Sequence, residues 1–379
     1  MANTLTGLIP TIYEAADVVS RELTGFIPAV TLNASADAAA KDQTISYPVV
    51  GSNSAADIAA AATGPDPADT TFGVGTMSIN KARGVTFYWT GEDVKSLGGN
   101  YNVILRDQFA QAMRTLVNEV ETDLAALYVG ASRAYGTAGT APFASDLSDP
   151  ANIRKILADN GAGMGDLQLV IDTTAGAKLR TLAQLTKANE AGSAGLLNRG
   201  VLMDLHGFQI RESAKVKTHT KGTGTGYAVN LLAGYAIGST SIAADTGSNT
   251  IVAGDILTNS QSGRDANKYV VKTALTGGSV VLNDPGIRAA WVDNDTLAVG
   301  ANYTANMAFA RSAIHLLARV PAMPAGGDSA DDVMVVTDPA SGLSFQVAMY
   351  RQRRRIAYEV GLAWGVKAVK PEHIATLLG

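Results

Sequence analysis

The chain has 379 residues, of which 46% are hydrophobic and only 17% are charged, with a formal net charge of −4. A charged fraction below the usual quarter leaves little polar surface to solvate a large monomer, so we expect burial against other copies. The acidic balance argues against a protein whose main affinity is for the nucleic-acid backbone, and the absence of cysteine excludes disulfide and thiolate chemistry.

The length predicts two or three subdomains. Residues 1–10 lack the basic start and apolar run of a secretory signal. No stretch approaches the roughly 18 consecutive apolar residues of a membrane span. We therefore expect a soluble protein, cytoplasmic when made and without a membrane partner.

Two N-terminal segments are predicted to need a partner surface. An apolar stripe from Ile9 to Leu23 predicts an amphipathic helix that is too short to be stable alone. Residues 43–90 are predicted to form a long hairpin arm, because apolar residues alternate on the way out and on the way back: Ile45, Tyr47 and Val49, then Val85, Phe87 and Trp89. Its middle part, Ser52 to Thr71, contains acids but no base. It is either a surface loop or an arm that orders on an adjacent subunit.

The clearest predicted element is a long helix from Asn102 to Val129. Apolar residues recur along it at helical spacing, with polar residues including Glu121 on the opposite line. An α/β block follows, with a helix over 149–160, a buried strand over 167–171, a helix over 173–185 and a strand over 207–212.

Short strands separated by turn residues occupy residues 222–300. The predicted strands are 227–232, 239–242, 255–258, 268–275, 279–282 and 296–299. Regular short strands of this kind indicate a small all-β module, a barrel or sandwich, inserted into the α/β part.

The apolar face changes parity near the C-terminus. Leu343 to Met349 are apolar at odd positions and Ile356 to Val366 at even positions, so the chain must bulge or turn at residues 351–355. We expect the last strands to cross between subdomains there, with an arginine cluster at the crossing. A solvated strand face explains the cluster, and so does an intersubunit or domain-crossing ion-pair network; phosphate binding is a further alternative.

No catalytic or metal-binding constellation is predicted. The four histidines are scattered without metal-ligand spacing, and satisfied or surface histidines are the simpler interpretation. Ser78 and Lys81 match S-x-x-K only by chance, and the Asp293–Asp295 triplet is interpreted as a turn, not a calcium loop. We therefore expect neither an enzyme nor a cofactor.

The order of elements resembles the major capsid (coat) proteins of tailed bacteriophages, with the phage and herpesvirus capsid fold of the HK-ninety-seven type. The segments LVIDTTAGAKLRTL at 169–182, MDLHGFQIRES at 203–213 and GLAWGVKAVKPEHIATLLG at 361–379 are similar to such proteins. The inserted module makes the chain most similar to the coat proteins of short-tailed phages.

This resemblance implies an α+β fold with an N-terminal arm at 1–42, an extended β-hairpin loop at 43–90 and an inserted barrel-like all-β domain at 222–300. A peripheral domain would hold the spine helix at 91–150 and also 333–350. An axial domain would hold 151–221, 301–332 and 351–379. Some members of the fold crosslink subunits through a loop lysine. Lys81 is the candidate here, but no partner residues are identified.

The resemblance also implies function and partners. The chain would assemble with itself into hexamers and pentamers of an icosahedral virion shell, made in the host cytoplasm. Its other partners would be a scaffolding protein, a portal protein and packaged double-stranded DNA, contacted without sequence specificity on the inner face. The subunit-interface candidates are Lys81, Arg83, Arg351, Arg353, Arg354 and Arg355. The alternatives are the shell of a bacterial nanocompartment and, more distantly, a cytoplasmic hydrolase with a β-accessory domain.

Overall fold

The structure, a computed structural model, describes residues 11, 12, 14, 15, 24–50, 72–97, 101–182, 185, 204–324, 326–338 and 341–379. Its helices are α1 (Gly91–Leu97), α2 (Tyr101–Ala125), α3 (Ser148–Asp159) and α4 (Thr173–Thr181). Its strands are β1 (Thr31–Ala39), β2 (Thr44–Val50), β3 (Phe72–Ser78), β4 (Lys81–Thr90), β5 (Arg133–Tyr135), β6 (Leu167–Ile171), β7 (Phe208–Glu212), β8 (Thr218–His219), β9 (Tyr227–Val229), β10 (Ser241–Asp245), β11 (Ile256–Asn259), β12 (Lys268–Thr276), β13 (Ser279–Leu282), β14 (Thr296–Val299), β15 (Tyr303–Ala310), β16 (Ile314–Pro321), β17 (Asp332–Thr337), β18 (Ser344–Gln352), β19 (Arg355–Ala368) and β20 (Ile374–Leu378).

The first of the two large sheets has six strands. Its order is β1-β16-β19-β18-β17. Strands β16 and β18 pair with successive parts of the long strand β19, and β4 pairs antiparallel with the other edge of β19. The odd-numbered residues of β4 and the even-numbered residues of β19 face α2, which covers this side of the sheet. The alternation that the sequence shows in these strands is therefore the signature of a sheet with one helix-covered face.

The predicted spine helix is α2. Its 25 residues span roughly 37 Å, and a 3-10 turn over Ala126–Gly130 continues it. Phe109 lies in the centre of its buried side, with its ring 5.1 Å from Phe87 and 5.4 Å from Tyr358. Buried residues of both sheets join one core around this helix, so α2 connects the two halves of the fold.

The arm has a different return strand from the one predicted. β2 pairs with β3 over their whole length, whereas the predicted return residues Val85 to Trp89 belong to β4 in the six-stranded sheet. Val85, Phe87 and Trp89 pack against the main core, which is why they are apolar. The alternation of apolar residues correctly identified two strands that each have one apolar face. The predicted pairing of these two strands with each other was wrong.

The second sheet has twelve strands in the order β11-β14-β9-β10-β13-β12-β5-β20-β15-β6-β7, with β8 paired to β15. Helices α3 and α4 cover one face of its β20-β15-β6-β7 part. The carboxylate of Asp172 caps α4 by accepting from the Thr174 and Ala175 amides. The other face packs towards α2 through residues such as Val170 and Phe309.

The inserted module is a six-stranded antiparallel barrel. Strands β11, β14, β9, β10, β13 and β12 pair in that order, and β12 pairs back to β11 to close the ring. Its interior has its own apolar core, which includes Tyr269 and Trp291. The barrel agrees with the predicted all-β module, but it is not detached, because β12 also pairs with β5.

Two other predictions need correction. The residues at the parity change form a tight hairpin turn between β18 and β19, and both strands stay in the six-stranded sheet, so the predicted crossing between subdomains there is wrong. In this hairpin each odd-numbered residue of β18 pairs with an even-numbered residue of β19, as Met349 does with Tyr358. The apolar face therefore changes from odd to even positions although both strands present it to the same side of the sheet. The six-stranded sheet also contains β16 and β19, from the 301–332 and 351–379 ranges assigned to the axial domain, whereas β15 and β20 lie in the other sheet.

Most of the predicted N-terminal helix lies outside the described residues. Thr11, Ile12, Glu14 and Ala15 are described and are helical, and Ile12 and Ala15 are fully buried in the main core. The middle of the arm, residues 51–71, also lies outside the described part of the chain.

Candidate functional site

The predicted interface cations lie in two separate places. Lys81 and Arg83 are at one end of β4, and the Arg351–Arg355 turn is beside its other end. Lys81 and Thr90 are nine positions apart in an extended strand, which is roughly 30 Å. These residues therefore do not form one site.

Lys81 is bound within its own subunit. Its Nζ lies 2.7 Å from the Asp123 carboxylate and 5.9 Å from the centre of the Trp364 ring. The Trp364 indole N–H donates to the other Asp123 oxygen at 2.9 Å. Arg83 reaches Glu119 on the same helix at 3.6 Å and is more exposed. Both side chains thus form ion pairs that connect β4 to α2, and the sequence did not indicate this role.

The arginine turn forms the rim of an open groove of about 1200 Å³. Trp89, Val94, Tyr101 and Ile356 contribute apolar surface to it, and Arg351 to Arg355 lie around them. Arg354 has φ +62°, a left-handed conformation that costs a non-glycine residue about 1 kcal/mol. A glycine or asparagine would fit this turn with less strain.

Each described ion pair or ring contact of the turn is weak. Arg354 lies 3.7 Å from Glu92 with both side chains over four-fifths exposed, and Arg351 lies 3.9 Å from Asp331. The Arg355 guanidinium stacks 4.9 Å from the centre of the exposed Tyr88 ring. Exposed pairs of this kind contribute roughly 0–1 kcal/mol each. Arg353 and Arg354 are exposed at this turn.

Among its described residues, the β2–β3 hairpin contacts the body through Tyr47, Thr76 and Ser78. Tyr47 stacks on His315 with the ring centres 6.4 Å apart, and the Lys367 ammonium donates to the Thr76 carbonyl at 2.5 Å. A Cβ at position 365 would lie 2.0 Å from the Ser78 carbonyl oxygen, so the close approach of β19 to β3 requires Gly365. On the outer face, Val74 is 68% exposed.

Glu121 is buried at the junction of the N-terminal segment, although the helical pattern placed it on the polar side of α2. Only 1% of it is exposed. Its Oε1 accepts the amides of Phe26 at 3.0 Å and Ile27 at 2.8 Å, and its Oε2 accepts the Ser213 hydroxyl at 3.0 Å. Burial raises the pKa of this carboxyl, and the hydrogen bonds oppose the rise. Sequence periodicity missed this residue because its partners are distant in the chain.

His219 joins the barrel to the rest of the twelve-stranded sheet. Its Nε2 lies 2.8 Å from the Asp255 carboxylate and its Nδ1 lies 2.9 Å from the Tyr128 hydroxyl. Asp255 is fully buried and also accepts the Gly222 and Val252 amides. Burial of the Tyr128 hydroxyl raises its pKa, and the negative charge of Asp255 raises this pKa further. His219 is thus a satisfied structural histidine, in agreement with the interpretation of the sequence.

Within the described ranges, no group of three His, Asp or Glu side chains is placed to hold a metal ion. No helix in the described part of the chain is long and apolar enough to cross a membrane.

Comparison with known proteins gives similarity in structure only. No protein-family model and no curated protein matches the sequence. A structure of Mycobacterium phage Che8 is 14% identical, with a TM-score of 0.47 over 89% of this chain and 85% of that one. The capsid of cyanophage P-SCSP1u is 12% identical, with a TM-score of 0.48 over 92% and 86%. A virus-like particle from Pyrococcus furiosus is 9% identical, with a TM-score of 0.45 over 97% and 98%.

Proposed function

We propose that the protein is a major capsid protein, a structural subunit that assembles with copies of itself into an icosahedral virion shell around double-stranded DNA. Its function is then geometric and not catalytic. The proposal gives this chain the same kind of role as the capsid that is named for the cyanophage structure.

The observation that carries the proposal is the β2–β3 hairpin. It shares no strand pairing with either large sheet in the described ranges, and its outer face presents Pro48 and Val74 to solvent. A two-stranded sheet is marginally stable at best when nothing covers it. A neighbouring copy laid on the outer face would supply the missing cover and would bury this exposed apolar surface.

Two further surfaces support contacts in other directions. The cationic groove lies at the opposite end of β4 from the hairpin base. The barrel has an apolar patch on two neighbouring loops, where Leu232 is 92% exposed and Ile237 66% exposed, with Leu231 and Val292 beside them. A closed shell requires each subunit to contact several neighbours through different surfaces, and three separated surfaces meet that need.

In this proposal, residues 1–42 form an N-terminal arm and β2–β3 with residues 51–71 form the extended loop. Strands β4 and β16 to β19 form the peripheral domain with α2, and β1 of the arm pairs with β16 at its edge. The barrel over 222–300 is the inserted domain, and the remaining α/β part is the axial domain. Arg83 and the Arg351–Arg355 turn face neighbouring subunits. Scaffolding protein, portal protein and packaged DNA are the other partners, and the shell forms in the host cytoplasm.

The test is the assembly state of the purified full-length protein, measured by light scattering after size-exclusion chromatography. We expect large closed particles from the wild type and from Val74→Thr, which keeps the shape of the side chain. We expect subunits or small oligomers from Val74→Asp, because it places a charge in the covered face. A wild-type monomer at high concentration, or particles that are equally abundant in Val74→Asp, would refute the proposed role of the hairpin.

A further inference from the structure

A polar cleft of about 490 Å³ separates α3 from the barrel. Four cationic side chains line it, from α3, β5, β12 and the loop after β13: Lys155, Arg133, Lys268 and Arg288. Asp159 is the one carboxylate among its described lining residues. Cations that converge in a partly enclosed cleft repel each other, and an anion held between them would remove that repulsion.

Arg133 brings a buried positive charge to the lining of this cleft. Only 3% of the residue is exposed, and its Nη atoms bind Asn267 at 3.1 Å and Asp159 at 3.3 Å. Its Nε is buried and has no hydrogen-bond partner among the described residues. A buried guanidinium N–H without an acceptor is costly and uncommon in folded proteins. Because Nε is closed to solvent, an anion in the cleft would be attracted by the charge of the guanidinium and not by this N–H group.

The neighbouring cations are held in place by the fold. The Lys268 ammonium donates to the Gly136 carbonyl, and burial lowers the pKa of this lysine. The Arg288 guanidinium donates to the Asp159 carbonyl at 3.3 Å, and its backbone amide donates to the Tyr269 hydroxyl at 2.7 Å. Each of these side-chain contacts uses one N–H donor, and the remaining N–H groups of the side chain can bind an anion.

We propose that this cleft binds a phosphate-class oxyanion that joins α3 to the inserted barrel. A tetrahedral oxyanion offers several acceptor oxygens, so different oxygens can accept from Lys268, Arg288 and Lys155 while Arg133 contributes its positive charge. A side-chain carboxylate has only two oxygens and would satisfy fewer of these donors. The bound anion would fasten the barrel to the α/β part at a second place, apart from the His219–Asp255 contact.

The test is calorimetric titration of the full-length protein with inorganic phosphate at constant ionic strength, with chloride as the competing salt. We expect one phosphate per subunit for the wild type. The double variant Lys155→Ala/Arg288→Ala removes two exposed cations from the mouth of the cleft, so it should fold normally. We expect it to bind phosphate at least about tenfold more weakly, since it loses two charge-assisted contacts.

The matched control is Lys95→Ala/Lys272→Ala, which removes the same net charge outside the cleft and should bind phosphate as the wild type does. An equal loss of affinity in both double variants would mean that binding follows net charge alone, and it would overturn the proposal. Absence of binding to the wild type would overturn it as well. A density map of the phosphate-loaded protein should place the anion within hydrogen-bond distance of Lys155 or Arg288.

Discussion

Glu121→Ala is the substitution whose cost follows most directly from the structure. It leaves three buried donors without their acceptor: the amides of Phe26 and Ile27 and the hydroxyl of Ser213. Each unsatisfied donor costs about 1–3 kcal/mol, and removal of the poorly solvated carboxylate returns part of this. We expect the free energy of unfolding to fall by about 3 kcal/mol.

The assay is hydrogen exchange at Phe26 and Ile27, together with denaturant unfolding of unassembled subunits. A loss of 3 kcal/mol corresponds to an increase of roughly 100-fold in the exchange of these two amides. The control is Glu119→Ala on the same helix, which removes only a partly exposed ion pair with Arg83 and should cost roughly 1 kcal/mol at most. Equal costs for the two variants, with unchanged exchange at Phe26, would refute the role of Glu121.

The same comparison has a predicted pH dependence. Because the pKa of Glu121 is raised above its ordinary value of 4.5, the native state binds more protons than the unfolded state between 4.5 and the raised value. Its contribution to the free energy of unfolding is therefore full below this window and falls as pH rises through it. The stability difference between wild type and Glu121→Ala should shrink from about pH 4.5 towards neutral pH. A difference that grows with pH would contradict the sign of the shift.

Three further substitutions test other contacts. Lys81→Ala should reduce the free energy of unfolding by about 1 kcal/mol, because it removes the partly buried pair with Asp123, and urea denaturation would detect this. His219→Phe should cost roughly 2–3 kcal/mol, because Asp255 loses a buried partner, and limited proteolysis should then cut first near the barrel junction; an unchanged cleavage pattern would contradict this. Leu232→Asp should leave the melting temperature of the subunit within a degree or two but reduce particle yield, as electron microscopy would measure, since the side chain is almost fully exposed.

Local sequence patterns predicted the elements in which apolar residues repeat regularly along a single helix or strand. The spine helix was predicted within a few residues at either end, because its apolar line repeats over seven turns without proline or glycine. The strands of the barrel were also found, because each is short and bounded by turn residues. The α/β block was predicted for the same reason, with β6 matching its predicted range.

Long-range pairing was not predictable from the same patterns. Alternation in β4 shows which residues face a core, but it is equally compatible with pairing to β2 or to β19, and the structure has the latter. Glu121 looked like a surface residue because its partners lie more than 90 residues away. The change of parity before β19 correctly required a turn, but it could not show that both strands remain in one sheet.

The partners of the candidate site residues could not be predicted from the sequence either. Lysine and arginine at the ends of β4 and β19 were recognisable as cations in extended chain, but only the fold shows that Lys81 is already paired with Asp123. Arg133 gave no signal in the sequence at all, because its importance comes from burial beside residues of the barrel.

Cryo-electron microscopy of the assembled wild-type protein tests the central claim most directly. The account predicts a closed shell in which the outer face of each β2–β3 hairpin, including Val74, is covered by an adjacent subunit. A solitary subunit, or a shell in which this face remains in solvent on every copy, would contradict it.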